Sequence, residues 1–403
     1  MPEAVIVSTA RSPIGRAHKG TLASMRTDDL AVQMVRAALD RVPELDPRLV
    51  DDILLGCGQP AGEAGYNLGR VVAVLSGLDT VPGTTVNRYC SSSLQTTRMA
   101  FHAIKAGEGD VFVSAGVETV SRFGRGASDG LPGTHNPAFD AAVARSERAA
   151  AGGTVWTDPR DSGDLPDVYI AMGQTAENVA QLTGVTRAEQ DAFAVRSQNR
   201  AEANRDFWRD DITPVTLPDG TVVSVDDGPR AGVTMEAVAQ LQPVFRPDGT
   251  VTAGNCCPLN DGAAALVIMS DVRARELGLT PLARIVSTGV TGLSPEIMGL
   301  GPVEASRQAL RRAGLGIGDI DLVEINEAFA AQVIPSARQL GIDEERLNVN
   351  GGAIAVGHPF GMTGARITTT LIHALQQHDA QFGLETMCVG GGQGMAMVLE
   401  RLS

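Results

Sequence analysis

Four residues that lie far apart in the chain carry side chains suited to covalent catalysis: Cys90, Asn326, His358 and Cys388. A thiolate is a strong nucleophile, and an imidazole can accept its proton at neutral pH. Cys90 stands between a strand-like segment, GTTVNRYC, and a helix-like segment that begins with SSSLQ. Because a helix N-terminus favours negative charge, we expect this thiol to have a pKa below the reference value of about 8.5. Cys90 is therefore a candidate nucleophile, and a buried cysteine that only packs is the alternative.

His358 lies in a stretch rich in glycine and proline, GGAIAVGHPFGMTGAR, at residues 351–366. Glycine loses much backbone entropy on ordering and proline cannot donate a hydrogen bond, so this setting costs stability. The same glycines let the main chain fold closely around whatever group the ring serves. The stretch favours a functional histidine, and a histidine in an ordinary turn is the alternative.

Cys388 and Asn326 stand at the ends of two strand-like segments. Cys388 begins CVGGGQG, and glycines after a strand let backbone N–H groups converge on one oxygen, as an oxyanion site requires. A tight turn between antiparallel strands would use the same glycines. Asn326 begins NEAFA, where its amide either orients a water molecule or a carbonyl oxygen, or caps the helix that follows.

Composition excludes several classes of protein. The chain has 403 residues, 43% of them hydrophobic, and no apolar run near the roughly 18–20 residues that cross a bilayer. Its start, MPEAVIVSTARSPIGR, lacks the layout of a secretory signal, so we expect a soluble cytosolic protein. The net charge of −14 argues against nucleic acid as a partner, although a local arginine patch suffices for a small anion.

The five cysteines are odd in number and scattered along the chain: Cys57, Cys90, Cys256, Cys257 and Cys388. They show neither a disulfide framework nor the C-x-x-C spacing of a zinc site. We therefore expect free thiols and no metal.

Strand-like and helix-like segments alternate near both ends of the chain, which predicts a mostly parallel sheet covered by helices. Residues 1–122 and 281–403 resemble each other in pattern and suggest a duplication, with the active site where the halves meet. Residues 123–259 open irregularly at RFGRGASDGLPG and predict an inserted domain that covers a ligand cleft. Residues 260–280 return to the first half as a strand and a helix.

Local signals predict several element boundaries. Thr27 is expected to cap the first helix. Thr186 and Glu189 form the capping box of one long helix, TRAEQDAFAVRSQNRAEANRDFW. The turn at 218–220, with the sequence PDG, predicts a β-hairpin.

Four stretches together resemble the signature blocks of the thiolase family: VNRYCSSSLQ, NEAFA, GGAIAVGHPFGMTGAR and CVGGGQGMAMVLER. The similarity runs through the whole chain, from RSPIGR to MGQTAENVA, GTVTAGN, LNDGAAA and MGLGP. The resemblance implies a duplicated αβαβα core of five layers with an inserted loop domain, assembled as a homodimer or homotetramer. It also implies a ping-pong reaction between acyl-CoA and coenzyme A.

The resemblance assigns a role to each candidate residue. Cys90 would carry the acyl group as a thioester, and His358, with a pKa near 6.5, would take its proton. Cys388 would be the second acid/base group, and Asn326 would hold a water molecule that helps His358 to stabilise an enolate oxygen. The backbone N–H groups of Cys90 and Gly390 would form the other oxyanion hole.

The family pattern also implies contacts to coenzyme A. Arg230 would lie near the adenine, and Ala253, Met298 and Phe329 would border the pantetheine and acyl ends. Cys257 stands where many biosynthetic members have serine, so that this contact would be weaker.

Two further departures concern the substrate. Ala171 replaces the histidine that often precedes MG in short-chain enzymes, which predicts a roomier acyl pocket. CSSSLQ replaces the commoner CGSG or CASG but keeps small residues, so we expect the chemistry to survive.

The favoured interpretation is an active 3-ketoacyl-CoA thiolase with a degradative role, and a biosynthetic acetyltransferase that forms acetoacetyl-CoA is the alternative. A decarboxylating ketoacyl synthase of related fold is disfavoured, because such enzymes carry histidine or asparagine in place of the chemistry of Cys388. A catalytically silent acyl-CoA-binding subunit is disfavoured, because both the nucleophile and the histidine are present.

Overall fold

The computed structural model describes residues 1–125 and 132–403. Its helices are α1 Thr27–Asp40, α2 Leu68–Leu75, α3 Ser92–Ala106, α4 Asp140–Ala150, α5 Met172–Thr183, α6 Arg187–Ala203, α7 Arg205–Asp211, α8 Met235–Ala239, α9 Asp271–Glu276, α10 Gly301–Ala313, α11 Ala330–Leu340, α12 Ala353–Val356 and α13 Thr363–Gln377. Its strands are β1 Ala4–Arg11, β2 Gly15–Arg16, β3 Asp52–Gly56, β4 Gly83–Val86, β5 Val111–Thr119, β6 Val215–Thr216, β7 Val222–Val223, β8 Asn260–Ser270, β9 Ala283–Gly292, β10 Leu322–Ile325, β11 Phe382–Val389 and β12 Gln393–Arg401. The segment RFGRGASDGLPG, predicted to be irregular, includes residues 126–131, which lie outside the described residues.

One large sheet repeats a five-strand order. Its order is β10-β11-β12-β9-β1-β8-β5-β3-β4, with β2 beside β8. In each half the first strand, β1 or β9, pairs antiparallel with the last, β8 or β12, which pairs antiparallel with β5 or β11. β5 then pairs in parallel with β3, and β11 pairs in parallel with β10. In the fifth place the first half has the strand β4, which pairs with β3, and the second half has a single bridge between Val323 of β10 and Leu347. This repeated order agrees with the duplication that the sequence suggests.

The sheet is mixed, and the prediction of a mostly parallel sheet is wrong. Within the described ranges, the parallel pairs of strands are β3–β4, β3–β5 and β10–β11. These strands are connected through helices, as a parallel pair requires, whereas β11 and β12 are joined by a short turn and therefore run antiparallel. The alternation of strands and helices predicted the helical connections between parallel strands. It did not predict that β8 and β12 run antiparallel to their neighbours.

Helices and the two halves of the sheet form five layers. α1 and α2 pack on the outer face of the first half, and α10 packs on β9 and β12 with α11 beside it. α3 and α13 pack against each other between the halves. Gly364 permits this approach, because a Cβ atom there would lie 2.1 Å from the backbone nitrogen of Leu94. The predicted αβαβα layering is confirmed.

α13 is buried along nearly its whole length although it carries a run of threonines. The Thr368 hydroxyl donates to the Gly364 carbonyl oxygen at 2.8 Å, and the Thr369 hydroxyl to the Ala365 carbonyl oxygen at 2.9 Å. These bonds within the helix satisfy the hydroxyl groups of Thr368 and Thr369 without water. Because α13 is packed on all sides, its first residue, Thr363, is held in a fixed place. Thr363 lies five residues after His358.

Two local predictions are confirmed. The capping box of Thr186 and Glu189 is present at the start of α6. The turn at 218–220 joins β6 and β7 as a hairpin. The long helix is interrupted at Asn204, so that α6 and α7 are separate.

Two predicted helix caps are wrong. Thr27 is the first residue of α1 rather than its cap, and its hydroxyl lies 2.5 Å from the Thr119 hydroxyl. Asn326 does not cap α11, which begins at Ala330 with Phe329 at the N-cap position. Asn326 instead follows β10 directly. This position agrees with the alternative interpretation, in which the amide at the strand end orients a water molecule or a carbonyl oxygen.

The described parts of the chain contain neither a candidate membrane helix nor a candidate metal cluster. None of the described helices is both long and apolar enough to cross a membrane. Residues 1–125 and 132–403 contain no group of three or more His, Cys, Asp or Glu side chains arranged to hold a metal ion. The domain boundaries at 122, 259 and 280 stay predictions.

Candidate active site

Cys90 lies at a sharp junction between β4 and α3. It occupies a single 3-10 turn, Tyr89–Ser91, and Tyr89 has a φ of 44°, which non-glycine residues rarely adopt. The backbone N–H groups of Gly390 and of Cys90 itself lie close enough to the Cys90 sulfur to lower the pKa of its thiol. The junction therefore presents this thiol to the glycine run that follows Cys388.

Burial decides the protonation state of Cys90. The residue is 9% exposed, and burial raises the pKa of its thiol to about 11, despite the N–H groups of Gly390 and Cys90 that lower it. The expectation of a lowered pKa is wrong, because desolvation of the thiolate outweighs the field at the helix start. The thiol is protonated at neutral pH and needs a base.

Cys388 and Gly390 supply the second sulfur and a hydrogen-bond donor. Cys388 is fully buried in β11, and burial raises its thiol pKa far above the ordinary range, with the nearby Cys90 raising it further. Gly391 and Gly392 have φ values of 74° and 79° and turn the chain into β12. The glycines thus form the turn between antiparallel strands and also place the Gly390 N–H close to the Cys90 sulfur.

His358 follows α12 and is 1% exposed. Gly357, with a φ of 114°, leads into it, and the His358 N–H donates to Asn260 Oδ1 at 2.9 Å. Burial, together with the positive charge of Arg366, lowers the pKa of the imidazole to about 3. The ring is therefore neutral at physiological pH and able to accept a proton, although its pKa lies well below the expected 6.5.

Thr363 determines which nitrogen of His358 is the base. Its Oγ1 lies 2.6 Å from His358 Nδ1 and 2.7 Å from the Pro359 carbonyl oxygen. A hydroxyl has one hydrogen and a carbonyl only accepts, so Thr363 donates to Pro359 and accepts from Nδ1–H. The lone pair is then on Nε2.

Asn326 is buried beside the imidazole. Its Nδ2 lies 3.4 Å from each of the two ring nitrogens of His358. Its backbone is held by a bond from its N–H to the Thr386 carbonyl and by the Gln332 amide, which donates to the Asn326 carbonyl at 2.8 Å. Asn326 Oδ1 accepts no hydrogen bond from the described residues although it is buried. This oxygen is a free acceptor at the site.

A cavity of about 380 Å³ opens at Cys90. Tyr89, Gly390 and Phe360 line it near the sulfur, and Ile170 and Met172 line it from the region between the two halves of the sequence. Because Phe360 lies two residues after His358, the glycine-rich loop and the Cys90 turn share one cavity.

The predicted contacts to coenzyme A do not line this cavity. Met298, Phe329 and Cys257 belong to one apolar cluster that also contains Cys388. Burial raises the pKa of the Cys257 thiol well above its usual range, and Cys90 and Cys388 are close enough to raise it further. These three residues therefore lie beside Cys388, while Ala253 is exposed in a neighbouring turn.

Arg230 lines a separate cavity of about 440 Å³, together with Arg205 and Arg209. Its side chain is exposed, and it forms no ion pair within residues 1–125 and 132–403. Its backbone N–H donates to Gln198 Oε1 at 3.0 Å, and Gln198 Nε2 donates to the Ile354 carbonyl at 3.2 Å. Gln198 thus ties Arg230 to α12, the helix that leads to His358.

Three residues of the site were missed at the sequence level: Glu118, Asn260 and Thr363. Thr363 and Asn260 stand inside stretches noted for other residues, GGAIAVGHPFGMTGAR and LNDGAAA, and nothing marks them there. Glu118 is the one charged residue of β5, VFVSAGVET, and this contrast is a signal that could have found it.

The fold and this site define a class of protein. The family model for the N-terminal domain of thiolase matches residues 4–272, and that for the C-terminal domain of thiolase matches residues 279–401. The chain belongs to the thiolase family. The family and the fold predicted from the four sequence blocks are confirmed.

The most informative relatives are similar over their full length. The 3-ketoacyl-CoA thiolase of Bacillus subtilis (strain 168) is 44% identical, with 99% of this chain and 100% of that protein covered. The 3-oxoadipyl-CoA/3-oxo-5,6-dehydrosuberyl-CoA thiolase of Escherichia coli (strain K12) is 44% identical, with full coverage of both, each 100%. Among solved structures, the Bacillus anthracis acetyl-CoA acetyltransferase matches with a TM-score of 0.86 and 39% identity, covering 100% of this chain and 99% of that one.

Replacing Thr363 by valine is expected to slow catalysis by about 10- to 100-fold, because a buried Nδ1–H would lose its acceptor and the ring would exchange tautomers. Nε2 would then carry the hydrogen and could not accept a proton. The measurement is the rate at which iodoacetamide alkylates Cys90, alongside kcat. Thr369→Val is the matched control on the same helix, since its hydroxyl bonds only to the Ala365 carbonyl. Equal rates for the two variants would contradict the tautomer assignment.

Proposed function

We propose that this chain is an active 3-ketoacyl-CoA thiolase, an acyltransferase that works by a ping-pong mechanism through an acyl-Cys90 intermediate. The observation that carries the proposal is the position of Cys90 and Gly390 together in the lining of one cavity, with the Gly390 N–H close to the Cys90 sulfur and Cys388 beside them. A nucleophile, a second thiol and an oxyanion donor therefore meet at one point.

In the first half-reaction the Cys90 sulfur attacks the 3-keto carbonyl carbon of the substrate while His358 Nε2 takes the thiol proton. Since burial disfavours both a free thiolate and a free imidazolium, we place this proton transfer in the same step as formation of the C–S bond. The N–H groups of Cys90 and Gly390 stabilise the oxyanion. The bond between C2 and C3 then breaks, and Cys388 protonates the departing enolate of acetyl-CoA.

In the second half-reaction the Cys388 thiolate takes the proton of the coenzyme A thiol, which attacks acyl-Cys90. The Cys90 sulfur leaves and recovers its proton from the His358 imidazolium. Both acid/base groups thus return to their starting states, and a shortened acyl-CoA is released. The reverse sequence is a Claisen condensation.

The second oxyanion site is assigned to Asn326 and His358. The buried Oδ1 of Asn326 has no partner among the described residues, and a bound water would satisfy it. That water and the imidazole would together bind the enolate oxygen.

Coenzyme A is assigned a path between the two cavities. Cys257, Met298 and Phe329 lie next to Cys388 and would border the pantetheine, with Ala253 at the exposed end. The exposed guanidinium of Arg230 would hold the nucleotide end, since guanidinium groups bind phosphate well. Cys257 donates hydrogen bonds more weakly than serine, so this contact contributes little.

We propose that the substrate is a 3-ketoacyl-CoA with an acyl chain longer than that of acetoacetyl-CoA, and that the enzyme works in degradation. Ala171 stands in place of a histidine between Ile170 and Met172, and those two residues and Phe360 give the cavity at Cys90 apolar walls. The alternatives, a biosynthetic acetyltransferase and a silent acyl-CoA-binding subunit, predict preference for acetoacetyl-CoA and no turnover, respectively. A panel of 3-ketoacyl-CoA substrates of increasing length, assayed for CoA-dependent thiolysis, separates the three.

We also propose a cytoplasmic homodimer or homotetramer with no nucleic-acid partner. The net charge of −14 disfavours nucleic acid. β4 is the last strand of the sheet order and pairs only with β3 among the described strands, which leaves one edge for a second copy.

Replacing Cys388 by alanine is expected to slow thiolysis by about 10²- to 10⁴-fold, because the enolate loses its acid. Acylation of Cys90 by acetyl-CoA should persist, since a thiolate leaves without protonation far more easily than a carbanion does. Mass spectrometry of the protein after incubation with acetyl-CoA measures the acyl adduct, and thiolysis is measured in parallel. Loss of both reactions together would contradict the separate role given to Cys388.

A further inference from the structure

Glu118 is a buried carboxylate at the end of β5 that the mechanism above does not use. It is 1% exposed. Its Oε2 accepts the N–H of Gly58 at 2.8 Å and the N–H of Gly361 at 2.8 Å. Its Oε1 accepts the N–H of Gln59 at 3.1 Å and lies 3.8 Å from the Cys57 sulfur.

These backbone groups belong to two loops that reach the cavity from opposite halves of the fold. Gly58 and Gln59 follow β3 in the first half and line the cavity at Cys90. Gly361 lies three residues after His358 in the second half, next to Phe360, which lines the same cavity. One carboxylate oxygen therefore joins a cavity wall to the loop that carries the base.

The packing around this carboxylate leaves no space for another arrangement. A Cβ atom on Gly361 would lie 2.3 Å from the Val117 carbonyl oxygen, and one on Gly116 would lie 2.0 Å from the Gly361 carbonyl oxygen. A Cβ atom on Gly58 would lie 2.8 Å from Glu118 Oε2 itself. Both loops are held directly against the end of β5.

We propose that Glu118 is a positioning residue whose carboxylate clamps the His358 loop to the cavity wall at Gly58 and so keeps the imidazole in reach of the Cys90 thiol. The clamp rests on the roles of Cys90 and His358 proposed above. Without an acceptor, two buried N–H groups would be unpaired, and the loop would move to satisfy them.

The surroundings of Glu118 make the clamp sensitive to pH. Cys57 faces it from the end of β3, Cys90 lies within its electrostatic range, and Glu63 and Arg122 line a small cavity beside it. Arg122 is paired with Glu63, so no cation is bonded to Glu118 among the described residues. Burial raises the pKa of Glu118 to about 7, against the bonds from Gly58, Gly361 and Gln59 that lower it. Protonation below that pH weakens the acceptor.

The test compares two replacements of Glu118. Glu118→Met fills the space but removes every acceptor, and we expect kcat and the alkylation rate of Cys90 to fall about 30-fold or more. Glu118→Gln can keep a carbonyl oxygen toward Gly58 and Gly361 and cannot ionise. We expect it to retain kcat within about fivefold and to lose the step near pH 7 in the pH–kcat profile. Asp51→Asn is the matched control, because Asp51 accepts the N–H groups of Asp110 and Val111 at the opposite end of β5. It should keep both kcat and the step near pH 7.

A folded Glu118→Met variant with kcat within about threefold of the native enzyme would overturn the clamp. Equal losses in the methionine and glutamine variants would also overturn it, because charge rather than the acceptor would then matter. If the methionine variant does not fold, a loss of kcat in Glu118→Gln well beyond about fivefold, or the same step near pH 7 in that variant as in the native enzyme, overturns it. Alkylation of Cys90 is read without substrate, so this result stands apart from the failure of thiolysis that would sink the proposed function.

Discussion

Replacing Cys90 by alanine is expected to lower the rate of 3-ketoacyl-CoA thiolysis by about 10⁴-fold or more and to leave a folded protein. Cys90 is the one cysteine that lines the cavity among the described residues, whereas Cys388 is fully buried in β11. No other sulfur is placed to carry the acyl group. Alanine removes only the sulfur atom, and the nearby backbone at Cys90 and Gly390 keeps its access to the cavity, so we expect the variant to fold.

The same variant tests the chemistry without turnover. In the native protein, iodoacetamide should modify Cys90 first, and acyl-CoA should protect it; in Cys90→Ala both effects should disappear. Cys256→Ala is the matched control, because Cys256 is only half-buried, does not line the cavity and has no role in the mechanism. Thiolysis by Cys90→Ala within about tenfold of the native rate would assign the nucleophile elsewhere.

Residue types around the site could be predicted from sequence, but their protonation states could not. The glycines that flank His358 and follow Cys388 are local features of the sequence. Each set of glycines indicated that the neighbouring side chain lies close to a bound ligand. The pKa values of Cys90 and His358 depend on burial by segments hundreds of positions away. Burial raises the pKa of Cys90 to about 11 and lowers the pKa of His358 to about 3, and neither value was expected from the sequence.

The same distinction holds for the fold. Helices, the hairpin at 218–220 and the capping box of Thr186 follow from neighbours in the chain. The direction of β8 and the pairing of β12 with β9 join parts of the chain that no local pattern connects. Glu118 was missed for this reason, since its partner Gly361 is 243 positions away.

Replacing Arg11 by methionine is expected to lower the free energy of unfolding by about 3–5 kcal/mol at neutral pH. Arg11 is fully buried at the end of β1, with Nε 2.6 Å from Asp211 and Nη1 2.7 Å from Asp226. Its guanidinium also lies 5.4 Å from the centre of the Trp208 ring. Methionine fills the space but leaves two carboxylates buried without their cation. Urea denaturation gives the difference, with Arg48→Met as the control, because Arg48 and Asp46 form an exposed pair that water and salt screen.

The sign of the pH dependence identifies the cause of this loss. Burial works to raise the pKa of Asp211, but the charges and hydrogen bonds of Arg11 and His373 outweigh it and hold that pKa at about 2. In the native protein this stability is present above the unfolded pKa of about 3.9 and is lost as pH falls through 2. Without Arg11, burial would raise the pKa of both carboxylates, so the penalty should be largest at neutral pH and shrink toward pH 5. A penalty that is independent of pH would point to packing alone.

The arginine variant should also separate binding from chemistry. Asp226 accepts the N–H of Ile14 at 2.7 Å and begins the segment that leads to Arg230, which lines the same cavity. Loosening this segment should raise the KM for coenzyme A, while the alkylation rate of Cys90 stays within about twofold, because the Cys90 turn is held by β11 and α3. A parallel fall in alkylation would mean that the Arg11 cluster supports the catalytic sulfurs directly rather than the nucleotide end of the path.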